Sequence, residues 1–235
     1  MRMIKRILFS VTVVATAMVA TGVSAQQGKG RGGFGGGGAV GGLTTIAANE
    51  AVQKDLGASA DVSAKLVGLR DEYRALAQKE YQAAGINAQD FQNITPEQRQ
   101  KMTAISTKLN EEFTPKIKEV VSADQFKRLK QIQIQVLGST ALTNADVAAA
   151  LNLTDEQKKK ISEVQAEFAR KQRELFTGGG DAQERFGKMR ELNTERDNKA
   201  MTALNAEQKE KLNTLKGNAF DVSQLGFGGG RRGKN

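Results

Sequence analysis

The chain has 235 residues, of which 39% are hydrophobic and 5% aromatic, and it contains neither Cys nor His. These two absences exclude thiol and imidazole catalysis, zinc sites built from those side chains, disulfide frameworks and a histidine pH switch. The formal net charge is +9, and the abundance of Ala, Gln, Glu, Lys and Leu with only 2 Pro predicts an all-α fold rather than an all-β fold.

Residues 1–25 have the three parts of a secretory signal peptide. Basic residues at 2–6 precede an apolar stretch at 7–19, and small residues at 23–25 provide a cleavage site. The alternative is an uncleaved anchor, but the apolar stretch is shorter than the ~20 residues of a membrane-spanning helix. We therefore expect a periplasmic or secreted protein that does not span a membrane after signal cleavage.

Two glycine-rich arms, residues 26–42 and 226–235, flank the body of the chain. We expect both to be disordered, because they cannot bury enough apolar surface to offset the entropy of ordering. They are either flexible spacers or cationic, Phe-bearing contacts for an anionic partner such as a lipid headgroup, a wall polymer or a nucleic acid. The residues concerned are Lys29, Arg31, Phe34, Phe227, Arg231, Arg232 and Lys234.

The charge of the body is nearly balanced. Three of the 35 basic residues lie in residues 1–25 and five in the arms, which leaves 27 against 26 acidic residues. A balanced body lacks the basic face that specific nucleic-acid binding requires.

Four short motifs of one design mark helix starts within the body. In each, Thr, Ser or Asn can cap the helix, and a Gln at the third helical position can reach back to the cap's backbone. Proline at a first helical position fits the same reading. We assign these residues a structural role as helix starts: Thr95, Pro96, Gln98, Ser122, Gln125, Thr154, Gln157, Asn205 and Gln208.

The body also repeats itself, with a first copy at 43–140 and a second at 141–225. The early part of each copy aligns at an offset of about 95 residues and the late part at an offset of about 83. Apolar residues at heptad-like spacing between the helix starts predict two long helices in each copy. The predicted architecture is therefore two pseudo-repeated antiparallel helical hairpins, each in the order short, long, long, short, in a curved bundle that Pro115 helps to bend.

Two places depart from this pattern. Residues 131–136 alternate with period two, which is typical of a strand, although the aligned second copy is plainly helical and favours a helix. In a helix, Ile134 would point away from the main apolar face, toward a neighbour or a dimer partner. At the tip of the first hairpin, Ile86, Phe91 and Ile94 either cap the core locally or offer an apolar contact for a partner.

The signal peptide, the cysteine-free helical body and the starts at 94–98, 153–157 and 204–208 resemble the LTxxQ-motif (Spy/CpxP-like) family of bacterial envelope proteins. The doubled unit resembles exported LTxxQ-like proteins of planctomycete-type bacteria. The resemblance implies a curved helical periplasmic protein, often a dimer; here the doubled unit could replace that dimer. Some members hold unfolded proteins without ATP, and others inhibit envelope stress signalling.

We expect a binding protein rather than an enzyme, with no cofactor, no metal and no catalytic residue. Without His or Cys, the remaining candidate groups are scattered along helices rich in compensating charge, and no motif indicates a reaction. The leading hypothesis is an ATP-independent holdase or envelope-stress modulator that contacts unfolded or envelope proteins. The alternative is a structural or interaction protein whose cationic arms dock it to an anionic envelope surface.

Overall fold

The computed structural model describes residues 42–86, 94–177 and 181–226, all within one compact unit. These ranges are helical and contain no strand, which confirms the predicted all-α class. Two 3₁₀ segments, Gly138–Thr143 and Val222–Leu225, accompany the α-helices. The α-helices are α1 (Leu43–Ala47), α2 (Glu50–Asp55), α3 (Ala60–Ala83), α4 (Pro96–Val120), α5 (Ala123–Leu137), α6 (Ala145–Ala150), α7 (Asp155–Thr177), α8 (Ala182–Met201) and α9 (Ala206–Lys216).

Helices α3 and α4 form an antiparallel hairpin, and so do α7 and α8. In the first hairpin, Lys116 pairs with Glu72 at 2.7 Å and Lys108 pairs with Glu80 at 3.1 Å, so residue numbers rise on one helix as they fall on the other. The second hairpin has the same register, since its cross-helix contacts join Lys171 to Glu195, Gln172 to Asn193 and Lys199 to Glu167.

Each half of the body has its own buried core. Helices α1–α5 enclose the first-half core, which includes Ile46, Leu66 and Leu129, and a smaller cluster around Phe113 fills the first hairpin farther out. The second-half core lies among the 3₁₀ segment Gly138–Thr143 and helices α6–α9, where Phe168 is 1% exposed. The outer hairpins therefore project from two compact cores.

Helix α5 belongs to both cores. Ile132 is buried in the first-half core and Ile134 in the second-half core. Residues two positions apart on an α-helix point about 200° apart, so a helix buried on two sides gives the alternating pattern of residues 131–136. The helical interpretation is confirmed, and Ile134, expected at a neighbour or dimer partner, lies buried between elements of the same chain.

Helix α4 runs from Pro96 to Val120 with Pro115 inside it. Within the ranges described, no helix is both long enough and apolar enough to cross a membrane. The signal segment 1–25 lies outside the described residues.

Two glycines provide a test of how backbone conformation sets stability. Gly68 lies inside α3 and Gly57 has φ +60°, and an added Cβ meets nothing within 4 Å at either position. We predict that Gly68→Ala raises the free energy of unfolding by about 0.5–1 kcal/mol, because alanine loses less backbone entropy in a helix. Gly57→Ala should lower it by about 1 kcal/mol, because alanine is strained at positive φ. Urea unfolding followed by circular dichroism measures both; equal shifts would contradict the described backbone.

Candidate functional site

The four helix-start motifs all form capping boxes. At the start of α7, Gln157 N–H donates to Thr154 Oγ1 at 3.2 Å, and Thr154 N–H donates to Gln157 Oε1 at 3.0 Å. The motifs that begin with Thr95, Ser122 and Asn205 make the same reciprocal pair with the Gln three residues later. Each of these glutamines is therefore hydrogen-bonded to the start of its own helix.

The free end of each glutamine amide reaches a more distant element, which the sequence pattern did not reveal. Gln125 Nε2 donates to the carbonyl of Leu56 at 3.1 Å, and Gln208 Nε2 donates to the carbonyl of Leu151 at 3.3 Å. Leu56 and Leu151 are the C-cap residues of α2 and α6. In each half, one glutamine amide thus provides hydrogen-bond partners for backbone groups at the start of the last helix and at the end of an early short helix.

The second half adds a glutamine pair. The amides of Gln157 and Gln208 donate to each other at 2.8 and 2.9 Å, and Gln157 Nε2 also lies 2.8 Å from the carbonyl of Ala203. At the aligned position of the first half the residue is Val62, whose N–H donates to the Ser59 side chain at 3.3 Å. Gln98 donates to the carbonyl of Gly85 at 3.2 Å and so links the start of α4 to the turn that follows α3.

This amide network holds elements together and offers no reactive group, because amides neither titrate near neutral pH nor act as nucleophiles. Across the described ranges, no group of three or more acidic side chains could hold a metal ion. The network is therefore structural.

The remaining predicted contact residues lie in different places. Ile86 is buried with 2% exposure, and Ile94 is half-buried. Phe91 lies outside the described residues, as do residues 26–41 and 227–235 of the glycine-rich arms with all seven of their predicted contact residues.

The second hairpin carries an open groove near its outer end, here called the hairpin groove. Leu175 of α7 and Leu192 of α8 give it an apolar floor, while Lys171, Lys188, Glu191 and Glu195 supply a rim of both charge signs. Next along α7, Phe176 is 56% exposed. The sequence pattern did not single out Leu175, Leu192 or Phe176 as candidate contact residues.

Ion pairs fix the inner side of the hairpin groove. Lys171 Nζ lies 3.1 Å from Glu195 and 3.2 Å from Glu167, and these hydrogen bonds raise the pKa of Lys171 above its ordinary value. Hydrogen bonds from Lys199 and then Lys171 lower the pKa of Glu167. A lowered carboxyl pKa favours the folded pairing above the ordinary Glu pKa, and the benefit is lost as pH falls through the lowered value. Because these groups are exposed, each pair contributes little stability.

No family model, curated protein or solved structure matches the chain.

A buried capping glutamine should matter more than one whose hydrogen bonds are at the surface. Gln208 is 8% exposed, and its removal leaves the Leu151 carbonyl and the Asn205 N–H without their partner. We predict that Gln208→Ala lowers the free energy of unfolding by about 1–3 kcal/mol. The matched change Gln98→Ala, whose bonds are at the surface, should lower it by less than about 1 kcal/mol. Equal losses in urea unfolding would show that the buried network adds nothing beyond local capping.

Proposed function

We propose that the protein is an exported binding protein of the bacterial cell envelope that holds aggregation-prone polypeptides without ATP. This is the holdase activity that the resemblance to the LTxxQ-motif family implies; modulation of envelope stress is the related role of other members. The observation that supports it is the apolar surface at the outer end of the second hairpin, where Leu175 and Leu192 line the hairpin groove and the next residue of α7, Phe176, is 56% exposed.

The chemistry of the hairpin groove suits partners that expose apolar residues without a fixed sequence. An open apolar floor binds such residues by burial, which is non-directional. A rim with two lysines and two glutamates does not select partners by the sign of their charge. Contacts of this kind are broad and weak, as a holdase that releases its clients without ATP requires.

The first test is suppression of aggregation. Residues 26–235 are added to a thermally aggregating model protein, and light scattering is followed over time. We predict that the unaltered chain suppresses the rise in scattering and that Phe176→Ser requires several-fold more protein for the same effect. Val222→Ser is the matched control, because Val222 is also exposed, at 44%, but lies in the 3₁₀ segment Val222–Leu225 and not on the second hairpin.

If the unaltered chain leaves the scattering unchanged, the holdase proposal is wrong. If Phe176→Ser and Val222→Ser behave alike while the unaltered chain is active, the exposed apolar surface around Phe176 is not the contact surface.

A second candidate function follows from the two arms. They carry five cations and no acid, whereas the body between them is nearly neutral. An arm of this composition is attracted to an anionic surface over about one Debye length, ~10 Å at 0.1 M salt. The protein would then be an interaction unit held at the envelope by its arms.

We predict for this second candidate that the chain co-sediments with phosphatidylglycerol vesicles, with affinity that falls as salt rises. Replacing Lys29, Arg31, Arg231, Arg232 and Lys234 by Gln should remove most of the binding, at about 1 kcal/mol per cation in low salt. Phosphatidylcholine vesicles are the control surface. Unchanged binding of the neutralised chain would exclude the arms as the attachment.

A further inference from the structure

The last described segment, residues 218–225, leaves the second half and packs against the first. We call it the strap. Gly217, with φ +62°, ends α9 and turns the chain, and Leu225 is buried with 5% exposure in the first-half core. Phe220 packs against the same core and is half-buried, while the other strap side chains are exposed. Of the strap's side chains, only those of Phe220 and Leu225 therefore pack against the first-half core.

The main chain of the strap is held by side chains of the first half. The amide of Gln135 donates to the carbonyl of Asn218 at 2.9 Å and accepts from the N–H of Phe220 at 2.8 Å. It also donates to the carbonyl of Lys216 at 2.7 Å. These bonds use only backbone groups of the bound segment, so they do not depend on its sequence.

Two more side chains extend this clamp. Arg128 donates to the carbonyl of Asn218 at 2.7 Å, and Asn49 donates to the carbonyl of Leu225 at 3.4 Å. The guanidinium of Arg128 is itself fixed by Asp55, with Nε–Oδ1 at 2.7 Å and a second bond at 3.0 Å. A bidentate pair of this kind holds the donor in place whether or not a backbone carbonyl is bound.

The strap differs from helices α1–α5, which enclose the first-half core, in its local structure. It contains no α-helix, and its 3₁₀ segment Val222–Leu225 leaves Val222 44% exposed. Ile134, by contrast, is built into α5 and cannot leave the second-half core without unfolding that helix. Displacing the strap would therefore not in itself require an α-helix to unfold.

We propose that the groove beneath the strap is a polypeptide-binding site and that the strap is its resident intramolecular ligand. The ligand class is a non-helical segment with an aromatic and an aliphatic side chain five positions apart, as Phe220 and Leu225 are in the strap. Backbone clamping provides affinity, and the two apolar positions provide selectivity. The inference rests on the proposed function in that it names a site and a class of segment for its clients.

The covalent link between the strap and α9 determines how strongly a free peptide competes with the strap for the groove. A ligand joined by a short linker acts at an effective concentration of the order of mM. A free peptide therefore binds the unaltered chain weakly. It binds more tightly when the strap's own contacts with the groove are weakened, because the apparent dissociation constant of the peptide falls as the fraction of molecules with an open groove rises.

The test uses a fluorescein-labelled peptide with the sequence of residues 217–226 and the full chain. We expect the double variant Phe220→Ser with Leu225→Ser to bind the peptide at least about tenfold more tightly than the unaltered chain does, by fluorescence anisotropy. Adding Gln135→Ala should weaken that binding about tenfold. The control peptide carries Ser at both apolar positions and should not bind. Equal affinity of the folded double variant and the unaltered chain overturns the proposal.

A second measurement does not depend on the double variant folding. The same peptide with benzoylphenylalanine at its Phe position is irradiated with the unaltered chain at mM concentration, and the adducts are mapped by mass spectrometry. Adducts concentrated on α1, α2 and α5 support the groove, and adducts spread over the surface overturn it. These two measurements use no client protein, so they test the groove separately from the holdase activity. If the peptide binds but the chain does not suppress aggregation, the proposed function is wrong and the groove is still supported as a peptide-binding site.

Discussion

The arrangement of this protein depends on one interaction: a glutamine amide that closes a capping box and also bonds the carbonyl that ends an earlier helix. Gln125 joins the start of α5 to Leu56, and Gln208 joins the start of α9 to Leu151. Without this amide, the start of the later helix and the end of the earlier helix would each leave backbone groups without hydrogen-bond partners near the cores. Each amide uses its oxygen as an acceptor and its N–H as a donor at the same time. It therefore caps one helix and also holds the end of a short helix, α2 or α6, in place.

The second constraint is the sharing of α5. Its face with Ile132 completes one core and its face with Ile134 completes the other, so neither half is buried without it. A salt bridge from Lys130 to Asp146, at 3.7 Å, adds a surface contact between α5 and α6. The strap returns in the opposite direction, from the end of the second half to the first-half core. The two halves are thus joined by the middle and by the end of the described chain.

Local features were predictable from the sequence and distant ones were not. Capping boxes involve residues three apart, so motifs such as Thr154 with Gln157 predicted the helix starts. The long-range bonds of the same glutamines cross 57 and 69 residues, and the bond from Asn49 to Leu225 crosses 176. Periodicity carries no information at such separations. For the same reason the strap was grouped with the second copy, and the exposure of Phe176 became visible only once α7 and α8 were placed.

Stability and binding are linked through the strap. The first-half core buries Leu225 and part of Phe220 only while some segment occupies the groove, so an empty groove exposes apolar surface and leaves the Gln135 amide to water. An incoming polypeptide must therefore supply both the backbone bonds and the two apolar side chains to replace the strap. Helices and sheets of folded proteins keep their backbone groups paired internally and cannot do so. The requirement for free backbone groups is what would direct this groove to unfolded segments.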